Sequence, residues 1–193
     1  MKFKQFTASL LFAGLTFGSS AVFADTYTID TKGAHAFVQF RIQHLGFSWL
    51  YGRFNEFGGT FNYDEAAPEK SSVEVSIKTA SVDSNHAERD KHLRSPDFLD
   101  TNKFPEAKFV STSYTPSENN TGTLKGDLTL HGVTKPVEIA VQKIGGGKDP
   151  WGGYRMGFEG QTSFALADFD IPGQLGPKSK NVQMTLSIEG IRQ

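Results

Sequence analysis

Eight segments of the chain alternate apolar and polar residues, and this alternation limits the possible folds more than any other feature. The segments are 35–43, 58–64, 72–82, 107–114, 123–132, 135–144, 155–166 and 181–191. A two-residue period places the apolar side chains on one face of a β-strand. Turn-rich stretches separate many of the segments, at 64–70, 116–122, 145–153 and 171–180. The pattern therefore predicts an all-β, antiparallel sandwich or barrel.

The apolar faces of these strands are candidates for the wall of a cavity. An eight-stranded barrel is just wide enough to be filled by its own side chains or to hold one small ligand. The predicted lumen residues are Val38, Phe40, Ile42, Val75, Ile77, Phe109, Leu128, Leu130, Phe158, Met184 and Leu186. Phe57, Phe61 and Phe164 are further aromatic candidates. Periodicity alone favours a packed core over a cavity, so a stress-related protein with a filled barrel stays a possible alternative.

Residues 84–109 interrupt the strands with a densely charged tract that is typical of a short helix. Asn85 and Glu88 resemble a capping box, and Pro96 ends the run. Only Ala87 and Leu93 are apolar between them, so this helix must lie at the surface, over an opening or against solvent. The candidate head-group residues at such an opening are His44, His86, Arg89, Asp90 and His92. A solvated helix held by ion pairs explains each residue of the tract as well.

The first 24 residues are predicted to be a cleaved secretory signal peptide. Lys2 and Lys4 make a basic start, residues 6–17 form an apolar run, and small residues lead to Ala24. The apolar run is shorter than the ~20 residues that span a bilayer. We therefore expect cleavage after Ala24, a single mature domain of residues 25–193, and a location in the periplasm.

Composition and motifs exclude several classes of function. The chain has no cysteine, which excludes disulfides and a cysteine nucleophile. The formal net charge is −1, with no basic run that would indicate nucleic acid or anionic lipid as a partner. No GxSxG, GxGxxG or Walker string is present. His35 and His44 are nine apart and would point to opposite faces of one strand, so we predict no metal site and no cofactor.

Longer strings of the sequence resemble a known family. HAFVQFRIQHLGFSWLYGRF, SVDSNHAERDKHLRSPDFLDTNKFPEAKF and LKGDLTLHGVTKPV are similar to the YceI-like family of bacterial exported proteins, as is the end of the chain from GFEGQTSFALADFDI onward. The resemblance implies an eight-stranded, lipocalin-like barrel that binds a long polyisoprenoid, such as a prenyl-quinone precursor or a prenyl pyrophosphate. It also implies, for some members, association with a membrane cytochrome of the b561 type. One departure is Ala165-Leu166-Ala167 before Asp168, where family members often have an arginine.

Together these features predict a periplasmic carrier that sequesters an isoprenoid lipid, as a monomer or homodimer, and that is not an enzyme. A lipid-modifying enzyme that uses the same cavity is an alternative. It would require an acid–base pair inside the lumen, and the apolar strand faces contain none.

Overall fold

The computed structural model describes residues 24–172 and 176–193. The predicted signal peptide lies outside these ranges except for Ala24, as does part of the predicted turn at 171–180. The strands are β1 (Asp25–Ile29), β2 (Phe37–His44), β3 (Ser48–Phe54), β4 (Phe57–Tyr63), β5 (Ser72–Lys78), β6 (Val82–Asp83), β7 (Glu106–Pro116), β8 (Thr121–Leu130), β9 (Val133–Lys148), β10 (Tyr154–Ala165) and β11 (Asn181–Arg192). The α-helix α1 spans Ala87–Arg94. Among the described residues, no helix is both long and apolar enough to cross a membrane.

Eight of these strands close into an antiparallel barrel, which confirms the predicted fold class. The order around the wall is β1, β4, β5, β7, β8, β9, β10 and β11, and β11 returns to β1, with Tyr27 opposite Arg192. Along the same edge of β11, Val182 lies opposite Ile42 of β2. β3 and the short β6 follow β2 outward. We call β2, β3 and β6 the flap.

Two strands escape prediction from alternation. β1 is only five residues long and contributes two buried apolar side chains, Tyr27 and Ile29, too few to mark a period. β3 contains Trp49, Leu50 and Tyr51 in succession, so its sequence is apolar on both faces. The sequence analysis counted β2 among the eight predicted barrel strands and left out β1. In the structure, β1 closes the barrel instead.

The prediction that Gly145, Gly146 and Gly147 form a hairpin loop is wrong. β9 continues through these glycines, which pair with residues 155–157 of β10. A bulge at Ile144 separates this part of the ladder from the part before it. The actual turn is the predicted Trp151-Gly152-Gly153 stretch, where the N–H groups of Trp151 and Gly153 donate to Asp149 Oδ1 at 2.9 and 2.8 Å. The β9–β10 ladder is therefore longer than the sequence indicates.

The interior of the barrel contains two packed clusters. One is built around Tyr27, Ile29, Ala36, Phe61 and Met156, and the other around Phe98, Ala107, Leu130, Phe169 and Ile171. In the first cluster the rings of Tyr27 and Phe61 stack with centroids 4.9 Å apart. Phe57 packs against this cluster rather than lining a cavity, contrary to prediction. The second cluster includes Phe169, the last residue of the segment 165–169, and this side chain is completely buried.

Helix α1 covers the flap side of the barrel. Its N-cap is His86, whose Nδ1 accepts a hydrogen bond from the Arg89 N–H at 3.2 Å. The predicted cap, Asn85, lies one residue earlier, with a φ of 60°. The helix ends before Ser95, as the proline at 96 predicts.

Candidate ligand-binding site

The barrel encloses a cavity of about 270 Å³ that both packed clusters border. This volume is close to the lower end of the ~300–1,000 Å³ typical of small-molecule sites. The wall is apolar along most of its length. The backbone alternation of the strands explains this, because every second side chain of the wall points inward.

The eleven predicted lumen residues, from Val38 to Leu186, all lie in the wall of this cavity. Their contact with a ligand stays a prediction. The structure adds wall residues that the sequence analysis did not select, among them Phe54, Val73, Val82, Leu93, Phe98, Leu99, Ala107, Tyr114, Leu124, Val137, Ile139, Val141, Leu166, Ile171, Val182 and Ile188. Most of those on the predicted strands continue the alternation and could have been found from it. Tyr114 could not, because a bulge between Ser111 and Ser113 shifts the period of β7. Phe98, Leu99 and Ile171 lie in turns, where no period indicates which way a side chain points.

One end of the cavity carries a polar group that the sequence analysis missed. The Ser71 hydroxyl is buried and has no hydrogen-bond partner, alone among the buried side-chain polar atoms of the described chain. Tyr63 and Tyr114 line the cavity with it. Burial, and then the neighbouring Tyr63, raise the pKa of the Tyr114 hydroxyl. This end can therefore offer neutral hydrogen-bonding groups to a bound molecule.

The cavity wall has no pair of groups suited to acid–base catalysis within the described ranges. Its one carboxylate, Glu159, accepts a hydrogen bond from the exposed Gln161 amide at 3.0 Å. The other ionisable side chains in the wall are the two tyrosines, Tyr63 and Tyr114. General acid–base catalysis is most efficient with side chains whose pKa values lie near the working pH. The wall is better suited to burying an apolar chain.

A smaller pocket of about 80 Å³ lies beside the main cavity, between the flap and α1. Arg89 and His92 line it together with Leu50 and Tyr51 of β3. Four side chains belong to the walls of both spaces, and these are Phe40, Ile42, Leu93 and Phe98. The small pocket therefore adjoins the lumen and combines polar and apolar surface.

Hydrogen bonds within the protein hold several of the predicted head-group residues. Asp90 is buried and accepts from the Ser84 N–H at 2.8 Å and the Ser84 hydroxyl at 2.5 Å. Arg89 donates from Nε to Ser84 Oγ at 2.7 Å and from Nη2 to the Ser84 carbonyl at 2.6 Å. His92 bonds Asp97 at 3.1 Å. The contacts of Asp90 and Arg89 with Ser84 fasten α1 to the strand end before it, and that of His92 joins the helix to the turn after it.

The five predicted head-group residues are therefore not brought together in one site. Arg89 and His92 line the small pocket, but His44, His86 and Asp90 line neither space. His44 is exposed at the end of β2, His86 caps α1, and Asp90 holds Ser84. Their residue types and positions in the sequence could not distinguish these structural roles from a ligand contact.

Asp30, His35 and Glu189 form a cluster whose ligand atoms lie within 4.8 Å of one another. The Arg155 guanidinium lies among them and donates to Asp30 at 2.6 Å and to Glu189 at 2.5 Å. It also donates to Asp149 at 2.9 Å. A guanidinium already occupies the position between these carboxylates, so the geometry is that of an ion-pair network. His35 precedes β2 instead of lying on it, so the expected strand geometry with His44 does not apply.

Comparison with known proteins gives a consistent result. A model described as the YceI-like domain matches residues 27–190. A UPF0312 protein of Ectopseudomonas mendocina is 57% identical over 190 residues, which cover 98% of this chain and 99% of the relative. The crystal structure of Burkholderia cenocepacia BcnA superposes with a TM-score of 0.75 at 22% identity, over 83% of this chain and 98% of that one. A polyisoprenoid-binding domain from Saccharophagus degradans has a TM-score of 0.64 at 15% identity, over 89% and 100% of the two chains.

Proposed function

Because the chain belongs to the YceI-like family, we propose that it is a periplasmic carrier that sequesters a long-chain polyisoprenoid lipid in the lumen of its barrel. The observation that carries this proposal is the barrel cavity with its almost entirely apolar wall. The polyisoprenoid-binding domain of Saccharophagus degradans has a similar fold, which supports this class of ligand.

The mechanism of the proposed carrier is burial of a hydrocarbon tail. Removing apolar surface from water is worth about 25 cal/mol per Å², or ~0.8 kcal/mol for each buried CH₂ group. A prenyl tail gains this along its whole length and needs no hydrogen bond to the wall. Tight binding then follows from shape and length, and the protein acts as a non-enzymatic lipid carrier.

We place the polar head of the ligand at the small pocket between the flap and α1. Arg89 and His92 supply hydrogen-bond donors there, next to lumen residues Phe40 and Ile42. Arg89 keeps its bonds to Ser84, which fix the guanidinium in position. A head group such as a pyrophosphate or a quinone precursor would meet this polar edge while its tail lies among the apolar side chains.

Export and partners complete the proposal. Cleavage after Ala24 would release a chain whose first strand begins at Asp25. Such a carrier would move lipid between membranes, and a b561-type membrane cytochrome is a candidate for the protein that receives it. A bound prenyl lipid is the only non-protein component that the proposal requires.

Organic extraction of the protein purified from its native compartment, followed by mass spectrometry, tests the proposal directly. We expect one isoprenoid lipid in near-stoichiometric amount. Ile42→Trp narrows the lumen and should lower the amount recovered severalfold, and Val110→Trp is its matched control because Val110 is exposed on the outside of β7. If Ile42→Trp does not fold, Leu186→Trp on β11 replaces it. Recovery of no lipid, or of ordinary phospholipid alone, would contradict the proposal.

A further inference from the structure

The β2–β3 hairpin ends in a group of exposed apolar side chains. Phe47 is 85% exposed, Leu45 51% and Tyr51 61%. The Phe47 N–H closes the turn onto the His44 carbonyl at 2.9 Å. Leu45 has a φ of 52°, a left-handed conformation that is unfavourable for a branched side chain. The turn thus exposes a leucine to solvent at a conformational cost, which suggests that this side chain contacts another molecule.

Two stretches of the chain that meet at this hairpin carry only basic charged residues. From residue 31 to 54, and again from 171 to 188, the sequence contains no Asp or Glu. Ser179 fastens the second stretch to the hairpin, donating to the Gln43 carbonyl and accepting from the Leu45 N–H at 3.4 Å. Lys178 lies beside Gly46. The fold therefore assembles a cationic surface that the linear sequence does not reveal.

The cations at this tip lack acidic partners. Arg41 lies 4.4 Å from the centroid of the Trp49 ring, and neither it nor Lys178 or Lys180 forms an ion pair with a described residue. Arg53, farther from the tip, is paired with Asp83 at 3.3 Å. In the adjacent helical tract, the Asp97 carboxylate lies 3.1 Å from His92.

Basic and aromatic side chains around a protruding apolar tip match the surface of an anionic bilayer. Lysine and arginine contribute attraction to anionic lipids, while Trp and Tyr favour the headgroup level. The small pocket with Leu50 and Tyr51 lies on the same hairpin and adjoins the lumen. We infer that the β2–β3 hairpin docks on an anionic membrane surface and brings this side of the barrel against the lipid. This goes beyond the carrier proposal, because docking does not depend on which ligand fills the lumen.

The chain offers an internal control, since its two tryptophans occupy opposite ends of the barrel. Trp49 lies on the hairpin, whereas Trp151 is 76% exposed in the β9–β10 turn, beyond the other end of β11. Trp151→Phe leaves Trp49 as the sole reporter, and Trp49→Phe leaves Trp151. Residues 25–193 suffice for this test because they contain all the strands of the described ranges and both packed clusters.

Fluorescence is recorded with vesicles of phosphatidylglycerol and phosphatidylethanolamine, and with vesicles of phosphatidylcholine. We expect Trp49 to shift to the blue and to be quenched by brominated acyl chains on the anionic vesicles, and Trp151 to change little. Phe47→Ser should weaken vesicle binding about tenfold, from the loss of one buried aromatic side chain. Lys178→Gln and Lys180→Gln should weaken it roughly fivefold each, with a matching dependence on salt.

Three outcomes would overturn the inference. These are equal responses of the two tryptophans, no binding to anionic vesicles, and vesicle binding that is unchanged in Phe47→Ser. Light scattering identifies a competing occupant, because a homodimer that Phe47→Ser converts to a monomer, without vesicle binding, would assign the hairpin to a second copy of the chain. Lipid extraction from Phe47→Ser separates this result from the carrier proposal, since the lumen is intact in that variant.

Discussion

Asp30 is buried where the loop after β1 meets β10, and Arg155 and His35 both contact its carboxylate. The distances are 2.6 Å to Arg155 and 2.9 Å to His35. Arg155 also joins Glu189 and Asp149, so one guanidinium links β1, β10 and β11 with the β9–β10 turn. The 125-residue separation of Arg155 and Asp30 hides the centre of this network from any local pattern. Asp90 shows a different limit, because its carboxylate looks free for a ligand in the sequence but binds Ser84, only six residues away, in the fold.

We expect acid to destabilise the protein partly through Asp30. Hydrogen bonds from Arg155 and His35 hold the pKa of Asp30 at about 2, below its ordinary value of 3.8. Because the folded-state pKa is the lower one, this stabilisation is complete above about pH 4 and is lost as the pH falls towards 2. It corresponds to ~2 kcal/mol of unfolding free energy. Urea unfolding of Asp30→Asn between pH 2 and 6 should lack this dependence.

Asp25→Asn is the control for that measurement, since Asp25 is an exposed carboxylate paired with Arg192. An exposed pair contributes roughly 0–1 kcal/mol. The explanation would be wrong if Asp30→Asn retained the acid dependence of the unmodified protein while its stability at pH 6 was lower.

At the scale of elements, β9 shows how a composition rule can mislead. Glycine is depleted from strands, so three successive glycines predict a loop. Here a Cβ atom at the exposed Gly146 would come within 2.6 Å of the end of the buried Met156 side chain. A Cβ atom at Gly145 or Gly147 would have no neighbour within 4 Å. A side chain at position 146 therefore forces the Met156 side chain to move, whereas one at position 145 or 147 meets open space.

This difference predicts opposite outcomes for two matched substitutions. Gly147→Val should leave the free energy of unfolding unchanged or raise it by up to ~1 kcal/mol, because a branched residue suits a strand and restricts the unfolded chain. Gly146→Val should lower it by about 1–3 kcal/mol, through overpacking against Met156. Thermal or urea unfolding measures both. Equal losses would mean that this stretch is not the regular strand described above.

At the scale of the whole molecule, alternation along the chain was sufficient to predict an antiparallel all-β fold and most of its wall strands. The choice of a barrel over a sandwich came from the family resemblance. Seven of the eight wall strands and all the proposed lumen residues follow from a two-residue period. Closure of the barrel through β1 does not follow from this period, because it depends on the pairing of Tyr27 with Arg192 near the opposite end of the chain. Whether the interior is filled depends on the summed volumes of side chains, including Phe98 and Leu99 in turns. Periodicity contains no information about these volumes.

The cavity predicts that the folded protein gains stability from a prenyl lipid. A ligand that binds only the folded state at 100 times its Kd adds about 2.7 kcal/mol, which for a chain of this size raises Tm by roughly 5–10 °C. A series of prenyl lipids from C15 to C50, added to lipid-stripped protein in a thermal unfolding assay, should raise Tm more with each added prenyl unit until the lumen is full. Arg89→Ala should change the preference between head groups while the dependence on tail length stays the same, because the Arg89 side chain lines the small pocket and not the main cavity. An unchanged Tm across the whole series would mean that the lumen does not accept this class of lipid, and the barrel would then be a packed scaffold with another role.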